Sequence, residues 1–238
     1  MRRVDGIRAV TYDCWGTLLK DHDWEGAMTR RAGALSDLLG VDDAEARALL
    51  QEAWDKHDEA WRQVETFGPG RMAAYCLEKR GIEDDEALGN LTREFEEASL
   101  AGGVDRVDGT LETIQELEAA NIRIGLVCDT GLTPGRIVRE LLDGVGLLAH
   151  LEVQCFSDEV GVPKPGNEIF AKALAELGCR PPEAIHIGDL KRTDIAGAHD
   201  IGMHAIRYRG VHDDRSDSID ANIVMDRHDE LLEILDLK

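Results

Sequence analysis

A chain of 238 residues, 43% of them hydrophobic, can bury a sizeable core and is not a disordered segment. Its formal net charge of −21 argues against nucleic acid as a partner, because phosphate backbones reward basic surfaces. No apolar stretch approaches the roughly 20 residues that span a bilayer, and MRRVDGIRAVTYD lacks the apolar run of a signal peptide, so no membrane partner and a cytoplasmic location are expected. Five cysteines, odd in number and with no CxxC pair, point to reduced thiols and away from zinc.

Residues 7–13 (IRAVTYD) are apolar and β-branched without a helical stripe, which predicts a buried strand. From Trp24 to Leu100 the chain turns to Ala, Glu, Leu and Arg at helical spacing. Gly40, Gly68-Pro69-Gly70 and Gly81 divide that stretch into about four helices. Leu50, Trp54, His57, Trp61 and Val64 fall on one helical face, and of these Trp54, His57 and Trp61 are expected to pack the helices together rather than line a pocket. Strand–helix alternation then resumes: helix 110–120, strand 122–128, helix 134–143, strand 151–156, helix 167–177, strand 184–187 and helix 193–201. Strands at 204–208 and 222–225 and a helix at 228–236 complete the chain.

This pattern predicts an α/β fold, a Rossmann-like parallel sheet with helices on both faces, plus an inserted all-α domain. The expected boundaries are 1–20 and 105–238 for the α/β domain and 21–104 for the helical one. Such sheets bind ligands at the carboxyl ends of their strands. Asp13, Cys128-Asp129-Thr130, Ser157-Asp158 and Gly188-Asp189 occupy those ends.

Three segments carry candidate chemistry, each with a plainer alternative. In YDCWGTLL, the Asp13 carboxylate can act as a nucleophile, Gly16 permits a tight turn and Thr17 offers a hydroxyl; the alternative is a turn carboxylate. In GDLKRTD, Asp189 and Asp194 suit a hard divalent cation such as Mg²⁺, or else a turn and a helix cap. In GVPKPGNEIF, Lys164 sits between two prolines, where an ammonium can neutralise an anionic substrate; the alternative is an exposed loop lysine. His186, inside a strand, reads as a hydrogen-bonded interior residue, and Asp129 as a turn-capping acid or a further acid of the crevice.

Together these segments resemble the haloacid dehalogenase-like hydrolase superfamily over nearly the whole chain. The resemblance implies that Asp13 is the nucleophile and that Lys164 steadies it. It implies a Mg²⁺ site of Asp13, the Trp15 backbone carbonyl, Asp189 and Asp194. The helical insertion corresponds to a cap that selects the substrate.

Two positions differ from the family pattern. Its phosphatases carry a second aspartate two residues after the nucleophile, as acid and base, and here that residue is Trp15. General acid–base catalysis is worth roughly 10²–10⁴-fold. Cys128 stands where a Ser or Thr hydroxyl usually binds the transferring group; Thr130 is the nearest hydroxyl, two positions away. The expected function is Mg²⁺-dependent hydrolysis of a small phosphorylated metabolite through an aspartyl intermediate. The alternatives are 2-haloacid dehalogenase chemistry, in which halide departs without a proton, and a weakly active or non-enzymatic binding protein.

Overall fold

The computed structural model describes residues 4–238; residues 1–3, the start of the expected segment 1–20, lie outside the described residues. Two compact units form, one of Asp21–Val104 with Thr130–Leu141, the other of the chain up to Lys20, Asp105–Asp129 and Leu142–Lys238.

The first unit is helical: α1 (Trp24–Leu39), α2 (Asp43–Arg62), α3 (Pro69–Glu78) and α4 (Asp85–Gly102). Local chemistry sets their ends. The carboxylates of Asp23, Asp42 and Asp84 accept from the first-turn N–H groups of Gly26, Glu45 and Ala87. Pro69 opens α3, and Gly40 closes α1 in the left-handed region at φ 65°. The core includes Leu35, Leu50, Met72 and Phe95. The face of α2 matches the expected stripe in part: Leu50 lies in the core and Trp54 packs against it. Ala46, Leu49, Leu50, Ala53 and Ala60 are its buried residues, and Val64 lies beyond the helix end at φ 61°. The alanines leave room for neighbouring helices to approach closely, so the larger Trp54 and His57 sit at the margin, 4.9 Å apart between ring centroids.

The second unit is α/β. Strands β1 (Ala9–Tyr12), β4 (Arg123–Cys128), β5 (Val153–Phe156), β6 (Ala184–Gly188), β7 (His204–Tyr208) and β8 (Ile223–Met225) form one sheet in the order β5-β4-β1-β6-β7-β8. Every pairing in it is parallel. The remaining strands, β2 (Leu19–Asp21) and β3 (Val104–Arg106), pair where the chain passes between units. The helices α5 (Thr110–Ala119), α7 (Ser157–Val160), α8 (Asn167–Glu176), α9 (Ala196–Ile201) and α10 (Glu230–Ile234) belong to this unit, whereas α6 (Gly135–Gly144) begins in the Thr130–Leu141 segment grouped with the helical unit and ends here. The expected helix 193–201 is split: a π-helical turn, Lys191–Ile195, precedes α9.

Parallel strands buried on both faces should be continuously apolar. Three of the four residues of β1 are, and all four are buried, with Thr11 the polar exception. Because β1 pairs with β4 on one side and β6 on the other, the strand order reverses there. A crevice therefore opens at the carboxyl end of β1, where Asp13 follows.

Candidate active site

Asp13 extends the β1–β6 ladder by one residue, its N–H donating to the Ile187 carbonyl at 2.8 Å. The chain then turns sharply: Leu18 N–H donates to Cys14 O and Gly16 N–H to Leu19 O, each at 2.8 Å. Gly16 makes the turn at φ 76°, and a Cβ there would come within 2.9 Å of Asp189 Oδ2. Glycine is thus required twice over, by conformation and by the carboxylate beside it.

Lys164 lies almost wholly inside the unit, with 2% exposure, so it is not the loop lysine of the plainer alternative. Its ammonium donates to Asp13 Oδ1 at 2.5 Å and to Asp194 Oδ1 at 2.6 Å. The Lys164 backbone N–H donates to Asp129 Oδ1 at 2.8 Å, which ties the lysine loop to the end of β4. Asp194 also accepts from Leu190 N–H through Oδ2 at 2.9 Å. Gly188 allows this close approach, since a Cβ there would lie 2.2 Å from Asp194 Cγ. Beneath, His186 Nε2 is 3.1 Å from Asp194 Oδ1, and His186 Nδ1 is 2.9 Å from Thr11 Oγ1.

Carboxylate oxygens of Asp13, Asp189 and Asp194 all lie within 4.8 Å of one another. Three buried carboxylates against one ammonium leave two negative charges uncompensated when all are ionised. The electrostatics follow. Burial pushes Asp13 up to about 7 despite the Lys164 ammonium beside it. Burial, then the neighbouring Asp13 and Asp194, push Asp189 up to about 8. Burial also opposes ionisation of Asp194, but Lys164 and His186 outweigh it and hold that carboxyl well below the usual range. Burial disfavours the Lys164 ammonium, yet Asp13, Asp194 and Asp129 more than offset this and hold its pKa well above that of a free lysine. Hard oxygen donors with excess negative charge suit Mg²⁺, which prefers carboxylates and retains water.

The other sequence candidates are placed as follows. Trp15 is half-buried in the turn. Thr17 is buried, and its carbonyl accepts from His228 Nε2 at 2.9 Å. The Cys128 thiol is buried and directed at the Asp129 carbonyl, 3.3 Å away; burial and then Cys14 raise it well above the usual thiol range, so it stays neutral. Cys14 and Cys128 are free thiols. Thr130 belongs to the helical unit, which takes in Thr130–Leu141. Sequence reasoning placed His186 in the interior but missed its contact with Asp194, and it passed over Thr11. The available signal was one polar residue inside each of two apolar strand runs, AVTY and AIHIG.

Residues 7–202 match the haloacid dehalogenase-like hydrolases. The phosphoserine phosphatase of Thermus thermophilus is 40% identical over 84% of this chain and 88% of that protein. The ribulose-1,5-bisphosphate 5-phosphatase of Halopiger xanaduensis is 31% identical over 70% of each. The glyceraldehyde 3-phosphate phosphatase of Methanopyrus kandleri is 33% identical over 52% of this chain, and the match spans about half, 54%, of that protein's length. Among solved structures, a phosphatase of this class from Thermococcus onnurineus aligns over 96% of this chain and 97% of its own, at 23% identity and a TM-score of 0.68. A 2-haloacid dehalogenase from Pseudomonas syringae aligns over the same shares at 24% identity and 0.67. At these identities the structural matches speak to the fold alone.

Proposed function

The chain belongs to the haloacid dehalogenase-like hydrolases, and from that premise we propose that it is a Mg²⁺-dependent phosphohydrolase acting on a small phosphorylated metabolite of the cytoplasm. The observation that carries this reading is the excess of buried carboxylate around Lys164. The phosphatase names of the relatives support it. Asp13, Asp189 and the Trp15 carbonyl would hold the cation, with Asp194 beside them. When bound, the cation supplies charge neutralisation for the phosphoryl oxygens.

Lys164 engages Asp13 Oδ1, which favours the ionised carboxylate against the effect of burial and leaves its second oxygen for attack. That oxygen bonds to phosphorus as the bond to the leaving oxygen breaks, giving an aspartyl phosphate and an alcohol once the leaving oxygen gains a proton. Water then attacks phosphorus, releasing phosphate and restoring the Asp13 carboxylate. The Lys164 ammonium offsets developing charge during both transfers. Trp15 donates no useful proton, so the leaving oxygen takes its proton from solvent or substrate. The helical unit selects the substrate.

A second reading is carried by Trp15 itself. An indole in place of the acid suits halide departure, for which attack on carbon suffices. Turnover of p-nitrophenyl phosphate with Mg²⁺, lost in Asp13→Asn, is the expected result. Chloride release from chloroacetate without metal, and no phosphate release with it, would replace the phosphohydrolase reading by the dehalogenase one. Trp15→Asp is expected to raise alkyl phosphate turnover by about tenfold or more.

A further inference from the structure

A fully buried histidine lies beneath the charged groups, and no step above uses it. His186 on β6 stands directly opposite Thr11 on β1 in the parallel ladder. Phe170 meets its ring edge-on, with centroids 5.0 Å apart at 90°. Its two nitrogens have different partners, which assigns the tautomer. The Asp194 carboxylate, 3.1 Å from Nε2, can only accept, so Nε2 carries the hydrogen. Nδ1 is then the acceptor for the Thr11 hydroxyl at 2.9 Å, a shorter contact than the hydroxyl's 3.4 Å to the Ile185 carbonyl.

The bonds form a closed circuit. Thr11 donates to His186, His186 to Asp194, and Lys164 to both Asp194 and Asp13. Asp13 returns the circuit to the end of β1, two residues beyond Thr11. Asp194 receives three donors, two on Oδ1 and Leu190 N–H on Oδ2. Its orientation is therefore set from below by His186 as well as by its own helical turn. Asp194 in turn is one of the two carboxylates that locate the Lys164 ammonium.

We propose that His186, aligned by Thr11, is a positioning residue that fixes Asp194 and thereby the Lys164–Asp13 contact and the adjoining cation site. The kinetic part of this inference rests on the phosphohydrolase reading; the metal-binding part does not. Three variants separate the possibilities. His186→Gln keeps an N–H donor near the place of Nε2, His186→Leu removes it, and Thr11→Val removes only the hydroxyl that aligns the ring. Partners of this kind typically alter metal affinity or activity by about 10–100-fold.

For His186→Leu the expected result is a kcat on p-nitrophenyl phosphate lowered by about 10–100-fold with KM little changed. The midpoint for Mg²⁺ displacement of Tb³⁺, read by tryptophan-sensitised luminescence, should weaken about tenfold. His186→Gln should recover most of both, and Thr11→Val should fall between. A lowered melting temperature with kcat and metal midpoint unchanged overturns the proposal, leaving His186 a core residue. His186→Gln as impaired as His186→Leu also overturns it. Should His186→Leu fail to fold, an unchanged metal midpoint in Thr11→Val is decisive against it. Should the wild type release no phosphate, the phosphohydrolase reading falls, and the metal midpoints alone decide the role of His186.

Discussion

The two units each bury a basic side chain, and they do so in opposite ways. In the α/β unit, Lys164 is paired with the carboxylates of Asp13 and Asp194. In the helical unit, Arg31 is fully buried and donates to neutral acceptors, the Phe95 carbonyl at 2.9 Å and Ser99 Oγ at 2.7 Å. Ser99 Oγ in turn lies 2.7 Å from Thr133 Oγ1, so one guanidinium ties α1 to α4 and to the 130–141 segment. Burial lowers Arg31 to about 10, with Asp21 opposing the shift. The difference separates chemistry from architecture. A cation dispersed among neutral acceptors holds helices together, whereas a cation outnumbered by carboxylates leaves charge for a substrate or metal to meet.

The largest expected effect breaks that comparison at its charged end. Lys164→Met strands the Asp13 and Asp194 carboxylates, and should lower kcat by about 10³-fold or more while costing about 3–5 kcal/mol of stability. Activity assays and urea unfolding measure the two. Retention of near wild-type kcat would dissolve the distinction between the units.

A titratable group in the α/β unit, outside its charged cluster, comes next. Burial lowers His228 to about 4, and its ring stacks on Tyr208 with centroids 4.5 Å apart. The unfolded chain, with a histidine pKa near 6.5, binds a proton that the folded chain refuses. Stability from this residue is therefore complete above about pH 6.5 and is lost as pH falls toward 4, by about 3 kcal/mol. Comparing unfolding of the wild type and His228→Phe across that window measures it; equal slopes would contradict the assignment.

Arg31→Met tests the architectural end. It leaves the Phe95 carbonyl and Ser99 hydroxyl short of a donor, and should cost about 1–3 kcal/mol. Its kcat should change much less than that of Lys164→Met. A collapse of kcat without loss of stability would move Arg31 from architecture to chemistry.

The smallest effect sharpens the comparison through pH. Asp13 near 7 and Asp189 near 8 are raised above their unfolded values, so without metal their contribution to stability is lost as pH rises through 7–8. Cation binding requires the deprotonated forms. Mg²⁺ should therefore raise the melting temperature more at pH 8 than at pH 6, by a few degrees. Asp189→Asn should abolish the difference.

Much of the site was legible because carboxylates at strand ends are punctuation in the sequence. Asp13 after AVTY and Gly188-Asp189 after AIHI are visible as polar residues closing apolar runs. Lys164 was legible as a loop residue held by prolines, but not as a buried one, since burial depends on which carboxylates surround it. His186 was read as interior without its partner, because Asp194 reaches it only after a π-helical turn. The strands β2 and β3 are three residues each, too short for any periodicity to register. The end of α2 was overrun at Val64 because apolar spacing continues there while the backbone does not.

Local patterning by itself determined the α/β class, the helical insertion and the strand ends that carry the acids, because strand and helix periods and turn residues are short-range properties. Tertiary structure alone decided that Lys164 joins Asp13 and Asp194, that His186 meets Asp194, and that Thr130–Leu141 belongs with the helices. Those contacts link residues far apart in the chain. They arise from the parallel order β4-β1-β6, which brings separate strand ends to one crevice and buries their charges beside one another.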